Sequence, residues 1–194
     1  MDNRHVGSRG RRFNDKMTSS ELVFVGLGCA VAALLAAVIQ TSFFFNFRPF
    51  GFAPDLCLAL TVVSGLLFGA KCGGVVGLFS GFFLDALTFA GFSLSIPFYV
   101  IVGVVVGLLA LPESGLSLAK FPLYLLSVAA GGSVYAIAFV FWSCITYSSF
   151  NIADIIFKTA LPELISTLVF SVAVYPLGML VLKFIKKKQG ISIK

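Results

Sequence analysis

Residues 54–85 read PDLCLALTVVSGLLFGAKCGGVVGLFSGFFLD, an apolar stretch with glycine at positions 65, 69, 73, 77 and 81 and an aspartate near or at each end. Glycine at every fourth residue bares one face of a lipid-embedded helix, so that a second backbone can approach closely. Asp55 and Asp85 stand within this hairpin or at its edge, where an ionised group is costly and usually has a task. The fold and the candidate site both follow from this segment.

Composition agrees with a bilayer setting. Of 194 residues, 59% are hydrophobic and only 11% charged, with 22 phenylalanines. A soluble domain of this size cannot bury that much apolar surface. The net charge of +6 resides in tails that flank apolar runs, a pattern suited to anionic lipid headgroups and not to nucleic acid. Membrane lipid is thus an expected partner and nucleic acid is not.

Six apolar runs cover residues 22–45, 56–70, 73–89, 95–111, 121–145 and 163–184. A backbone in lipid must satisfy its own hydrogen bonds, so each run is expected to be a helix. The second, at 15 residues, would reach about 23 Å, and would have to borrow flanking residues or lie where the bilayer is thin. The first run is too long for a signal-peptide core, and no small-residue cleavage site follows it before Gln40, so it is expected to be retained.

The expected class is all-α, a polytopic membrane protein with six transmembrane helices. Arg4, Arg9, Arg11, Arg12 and Lys16 precede the first span, and Lys183, Lys186, Lys187, Lys188 and Lys194 end the chain. Lys71 and Lys120 join them on the same side, against Arg48 and Lys158 on the other. The excess of basic residues places both termini in the cytoplasm. The organisation expected is a disordered basic tail over 1–20, a six-helix transmembrane domain over 21–185, and a second basic tail over 186–194. The longest connections, about 46–55, 112–120 and 146–162, leave little room for a soluble domain. Residues 151–158 could lie as an amphipathic stretch at the outer interface, or form an irregular loop.

Asp55 lies 16 residues before Lys71 and Asp85 lies 14 after it. In an antiparallel pair those offsets are heights of about 24 and 21 Å, so the acids share one level towards the outer side. Arg48 is the nearest cation in sequence. Asp55, Asp85 and Arg48 could form a polar cluster that fixes helix ends or binds a partner or ligand. For Asp55 the plainer reading is a helix cap, since Pro-Asp at a helix start satisfies free N–H groups. For Asp85 the alternative is a tie to a neighbouring helix. The glycines first suggest packing within the hairpin or against a third helix, with Gly103 and Gly107 in the fourth span pointing the same way. Their functional use would be to receive another protein's helix. Ala32, Ala33, Ala36 and Ala37 form a further small-residue face, and Pro97, Pro162 and Pro176 are expected to kink the chain.

Catalytic and metal chemistry find little footing. The single histidine, His5, is in the tail, and Cys29, Cys57, Cys72 and Cys144 lack metal-ligand spacing. There is no nucleophile elbow and no phosphate-binding glycine loop. No catalytic residue, metal or cofactor is therefore expected.

The order Pro54-Asp55-Leu56, short helix, glycine-rich turn, Gly81-Phe82-Phe83-Leu84-Asp85 and a further turn at Gly91-Phe92-Ser93-Leu94 resembles the rod-shape-determining MreD family of bacteria. The likeness covers residues 52–110, roughly a third of the chain. The chain departs from the commoner family pattern in placing Gly65 and Gly69 in the second helix and in its long basic tails. The resemblance implies a non-enzymatic subunit of the cell-elongation machinery in the inner membrane. It would bind an MreC-like single-span protein, with a RodA-type glycosyltransferase and a class B penicillin-binding transpeptidase as indirect partners. It also assigns Asp55, Asp85, Gly77 and Gly81 partner-binding or structural roles, so that Asp85→Leu or bulky replacement of either glycine should weaken partner capture and leave expression intact. A second class of small six-span protein, the vitamin-binding S-component of energy-coupling-factor transporters, is the alternative. It would need an outward polar pocket, for which Asp55, Asp85, Asn151 and Glu163 are the candidates.

Overall fold

The computed structural model describes residues 19–44, 53–88, 95–109, 121–146 and 156–188. Six helices run through them. Helix α1 spans Ser19–Val38 and continues through a wider π turn at Ile39–Phe43, α2 spans Leu56–Phe68, and α3 spans Ala70–Thr88. Helix α4 spans Ser95–Leu109, α5 spans Phe121–Thr146, and α6 spans Leu161–Lys188 after a π turn at Ile156–Ala160. Arg48, Asn151 and most of both tails lie outside the described residues. Helix α6 therefore starts with Glu163 already in its first turn, two residues earlier than its apolar run suggests.

Helix α2 is the axis of the bundle. It has 13 residues, of which nine are buried, and it touches every other helix. At about 1.5 Å per residue it is roughly 20 Å long, short of a hydrocarbon layer of about 30 Å. A helix that is apolar all round belongs in an interior, and protein sheathes this one.

Around α2, Tyr99 and Val106 of α4, Tyr124 and Val128 of α5 and Tyr175 of α6 close the core. Three helical stretches are long and apolar enough to cross a membrane: Ala70–Thr88, Phe121–Trp142 and Leu161–Leu180. The apolar helices around Leu27–Phe43, Leu56–Phe68 and Ser95–Leu109 are shorter. The surface is that of a membrane protein: Leu108, Ile137 and Phe141 are 70%, 69% and 68% exposed, while Thr61, Ser80, Ser166 and Ser171 are fully buried. Water penalises contiguous apolar surface of this kind and lipid does not.

Of the three prolines expected to kink helices, Pro97 starts one, as the third residue of α4, a position where a helix has no use for the missing N–H. Pro162 stands where the π turn Ile156–Ala160 passes into α6. Pro176 does lie inside α6.

Candidate functional site

The start of α2 is the most heavily tied point in the molecule. The first N–H groups of a helix have no partner within it, and here each is satisfied. The Leu56 amide donates to the Pro54 carbonyl at 3.1 Å. The Cys57 amide donates to Gln40 Oε1 at 3.1 Å, and the Leu58 amide to Asp55 Oδ1 at 2.9 Å. Asp55 is thus the N-cap, as Pro-Asp before an apolar run prescribes.

The same carboxylate reaches two further helices. Tyr99 of α4 donates its hydroxyl to Asp55 Oδ2 at 2.6 Å, and the Gln40 side chain, from the π turn after α1, also bonds to Asp55. The Asp55 amide donates to Thr167 Oγ1 of α6 at 2.8 Å. That hydroxyl in turn donates to the Glu163 carbonyl at 2.8 Å. One buried residue therefore joins α1, α2, α4 and α6.

Beside this knot is a cavity of about 160 Å³ between α2, α5 and α6. Asp55, Glu163, Thr167 and Tyr135 supply its polar wall, with Phe139 and Leu58 among the apolar residues. Tyr135 stacks on Tyr99, ring centroids 6.2 Å apart, and its hydroxyl is 3.5 Å from Ser95 Oγ. Asp85, half-buried one turn before the end of α3, is at the same end of the hairpin as Asp55, away from the α2–α3 turn.

The glycines divide into two kinds. Gly69 is the whole α2–α3 turn, with φ of +92° and open space where a Cβ would go, so backbone conformation and not packing requires glycine there. It stands apart from the helix face to which its spacing assigned it.

Gly65, Gly73, Gly77 and Gly81 line up against α4. A Cβ on Gly65 would be 2.7 Å from the Gly103 carbonyl oxygen, and one on Gly81 2.6 Å from the Ile96 Cα. A Cβ on Gly73 would collide with the Gly103 carbonyl, and one on Gly77 with that of Tyr99. The face that could have received another protein's helix is filled by the chain's own fourth helix. A side chain at Gly77 or Gly81 would meet this backbone, so bulky replacement there bears on the chain's own packing as well as on partner capture.

Among the described residues no group of three or more His, Cys, Asp or Glu could hold a metal ion. Glu163, a pocket candidate in the sequence, does meet Asp55 at the cavity. Gln40, Tyr99, Tyr135 and Thr167 escaped the sequence reading. Gln40 had one signal, a lone amide at the end of an apolar run, whereas the other three are ordinary in helices. Compared with known family models, curated proteins and solved structures, the chain matches none.

Proposed function

We propose that this chain is a non-enzymatic, multi-pass subunit of MreD type in the bacterial cytoplasmic membrane. Its six helices all lie in the bilayer, both ends are cytoplasmic, and it holds an MreC-like single-span protein within the cell-elongation machinery. The observation that carries this reading is that the two family-like acids lie at the same end of the α2–α3 hairpin: Asp55 of the Pro-Asp-Leu element caps α2, and Asp85 of the Gly-Phe-Phe-Leu-Asp element stands one turn before the end of α3, which gives the order and spacing of those short motifs a common purpose. Asp55 is committed to four helices, which supports a scaffold in preference to an acid–base catalyst. Lys71, exposed at the opposite end of the hairpin, fits a cytoplasmic turn.

Since α4 covers the glycine face, a partner's helix would be received on the lipid-facing sides of the bundle. The test is to express the full chain together with an MreC-like protein, solubilise, and identify by mass spectrometry what co-purifies. The single-span protein is expected with the wild type and in reduced amount with Asp85→Leu, at equal expression. Recovery of the chain alone, or with a pair of ATPases, defeats the proposal. Undiminished recovery with Asp85→Leu removes Asp85 from the partner site.

A further inference from the structure

Cys29 of α1 and Cys72 of α3 are free, half-buried thiols, and they stand on the facing sides of one helix pair. Helix α1 packs chiefly on α3. Cys29, Ala33 and Ala37 recur at every fourth residue and share a face of α1, where both alanines are fully buried. Cys72, Val76 and Ser80 share a face of α3 in the same way, and there Val76 and Ser80 are buried. Short side chains such as alanine and serine let two helices approach closely.

The register of the bundle sets the two thiols at one level. A Cβ on Gly73 would lie 2.7 Å from the Gly65 Cα, so those residues are level across the antiparallel α2–α3 pair. Eight residues back along α2 is Cys57, which is therefore level with Gly81, eight residues forward along α3. The Cys57 amide donates to Gln40, so Gln40 belongs to that level too. Helices α1 and α3 both run towards the head of α2 and are parallel. Eleven residues before Gln40 is Cys29, and eleven before Gly81 is Ala70. Cys72 is two residues from there, a rise of about 3 Å. The thiols are also close enough for the charge of one to act on the other.

A disulfide requires Cα atoms within about 7 Å, a separation that facing positions of a closely packed pair supply. We propose that Cys29 and Cys72 form a reversible disulfide that clasps α1 to α3 when a low-molecular-weight disulfide is present. Cys72, next to the exposed Lys71 at the start of α3, is the sulfur that such an oxidant reaches first. Its thiolate attacks one sulfur of the small disulfide, breaks the S–S bond and releases one small thiol. The Cys29 thiolate then attacks the Cys72 sulfur, closes the protein disulfide and releases the second small thiol. The two protons lost by the protein end on the two released thiols, and two electrons pass from the protein sulfurs to the oxidant. Gln40 already pins α1 at the head of α2; the bridge would pin its opposite half. Neither the orientation of the chain nor a partner protein enters this inference.

The test uses the full chain purified in detergent, equilibrated with excess oxidised glutathione and then returned to excess reduced glutathione. Free thiols are blocked at each stage, and disulfides are mapped by mass spectrometry after digestion. An intramolecular Cys29–Cys72 bridge is expected in the majority of oxidised molecules, reverting to thiols on reduction. The unfolding midpoint should be higher in the oxidised protein than in the reduced one, and this difference should vanish in Cys29→Ser and Cys72→Ser. Thiols that stay free, or that carry only glutathione, in the folded protein overturn the inference. So does pairing with Cys57 or Cys144, pairing between molecules, or a bridge that leaves the midpoint unchanged. If a serine variant fails to fold, the mapped wild-type disulfide and its midpoint decide.

Discussion

Asp55 accepts from its own helix, from Tyr99 and from Gln40, while its amide is held by Thr167. Removing the carboxylate strips a cap, worth about 1 kcal/mol, and leaves the buried Tyr99 hydroxyl without an acceptor, at about 1–3 kcal/mol. Asp55→Ala should therefore destabilise the protein by roughly 2–4 kcal/mol in reversible unfolding in detergent. Tyr99→Phe should cost less than Asp55→Ala, and the double variant should fall short of the sum, because both changes remove one bond. Full additivity would mean that the 2.6 Å contact contributes nothing. The cap was legible because Pro-Asp ahead of an apolar run is a local signal. Its distant partners were not: Tyr99 is 44 residues away and Thr167 112, and no rule of spacing links a hydroxyl on one helix to a carboxylate on another.

Between α3 and α4 the contact is backbone on backbone, and small residues set its closeness. Gly77→Leu should abolish folded, detergent-stable protein, since its Cβ alone meets the Tyr99 carbonyl and neither main chain can yield separately. Gly69→Ala should leave the fold intact at a cost of about 1–3 kcal/mol, from a φ of +92° that side chains rarely adopt. Gly28→Ala, with nothing within 4 Å of the added Cβ, should leave the fold and its unfolding midpoint unchanged or slightly raised. Size-exclusion profiles and unfolding midpoints of the three variants give the ranking; a well-folded Gly77→Leu protein would contradict the packing described. The helices themselves were legible to within a few residues at most ends, because apolar runs delimit them. Which glycine was a turn and which was a contact was not, since a four-residue period is blind to the chain reversal between Phe68 and Ala70.

At the scale of the whole molecule, composition already selected a bilayer, and counting basic residues proposes an orientation. If all six helices cross with both ends inside, a fluorescent protein fused after Lys194 should be bright in the cytoplasm and a reporter that is active only outside should be silent at the same position. The opposite pattern would mean an odd number of crossings or an inverted bundle, and either would remove the basis for placing Asp55 towards the outer side. Hydropathy could not reveal that α2 is sheathed, because lipid and protein interior look alike to an apolar side chain.

That arrangement has a bearing on how the chain is made. The amide heading the central helix finds its hydroxyl only 112 residues later, roughly ten seconds of synthesis at about 10 residues per second. Until α6 leaves the ribosome the axis is naked along one flank, so a message cut short before Thr167 yields a product fit for proteolysis and not for assembly.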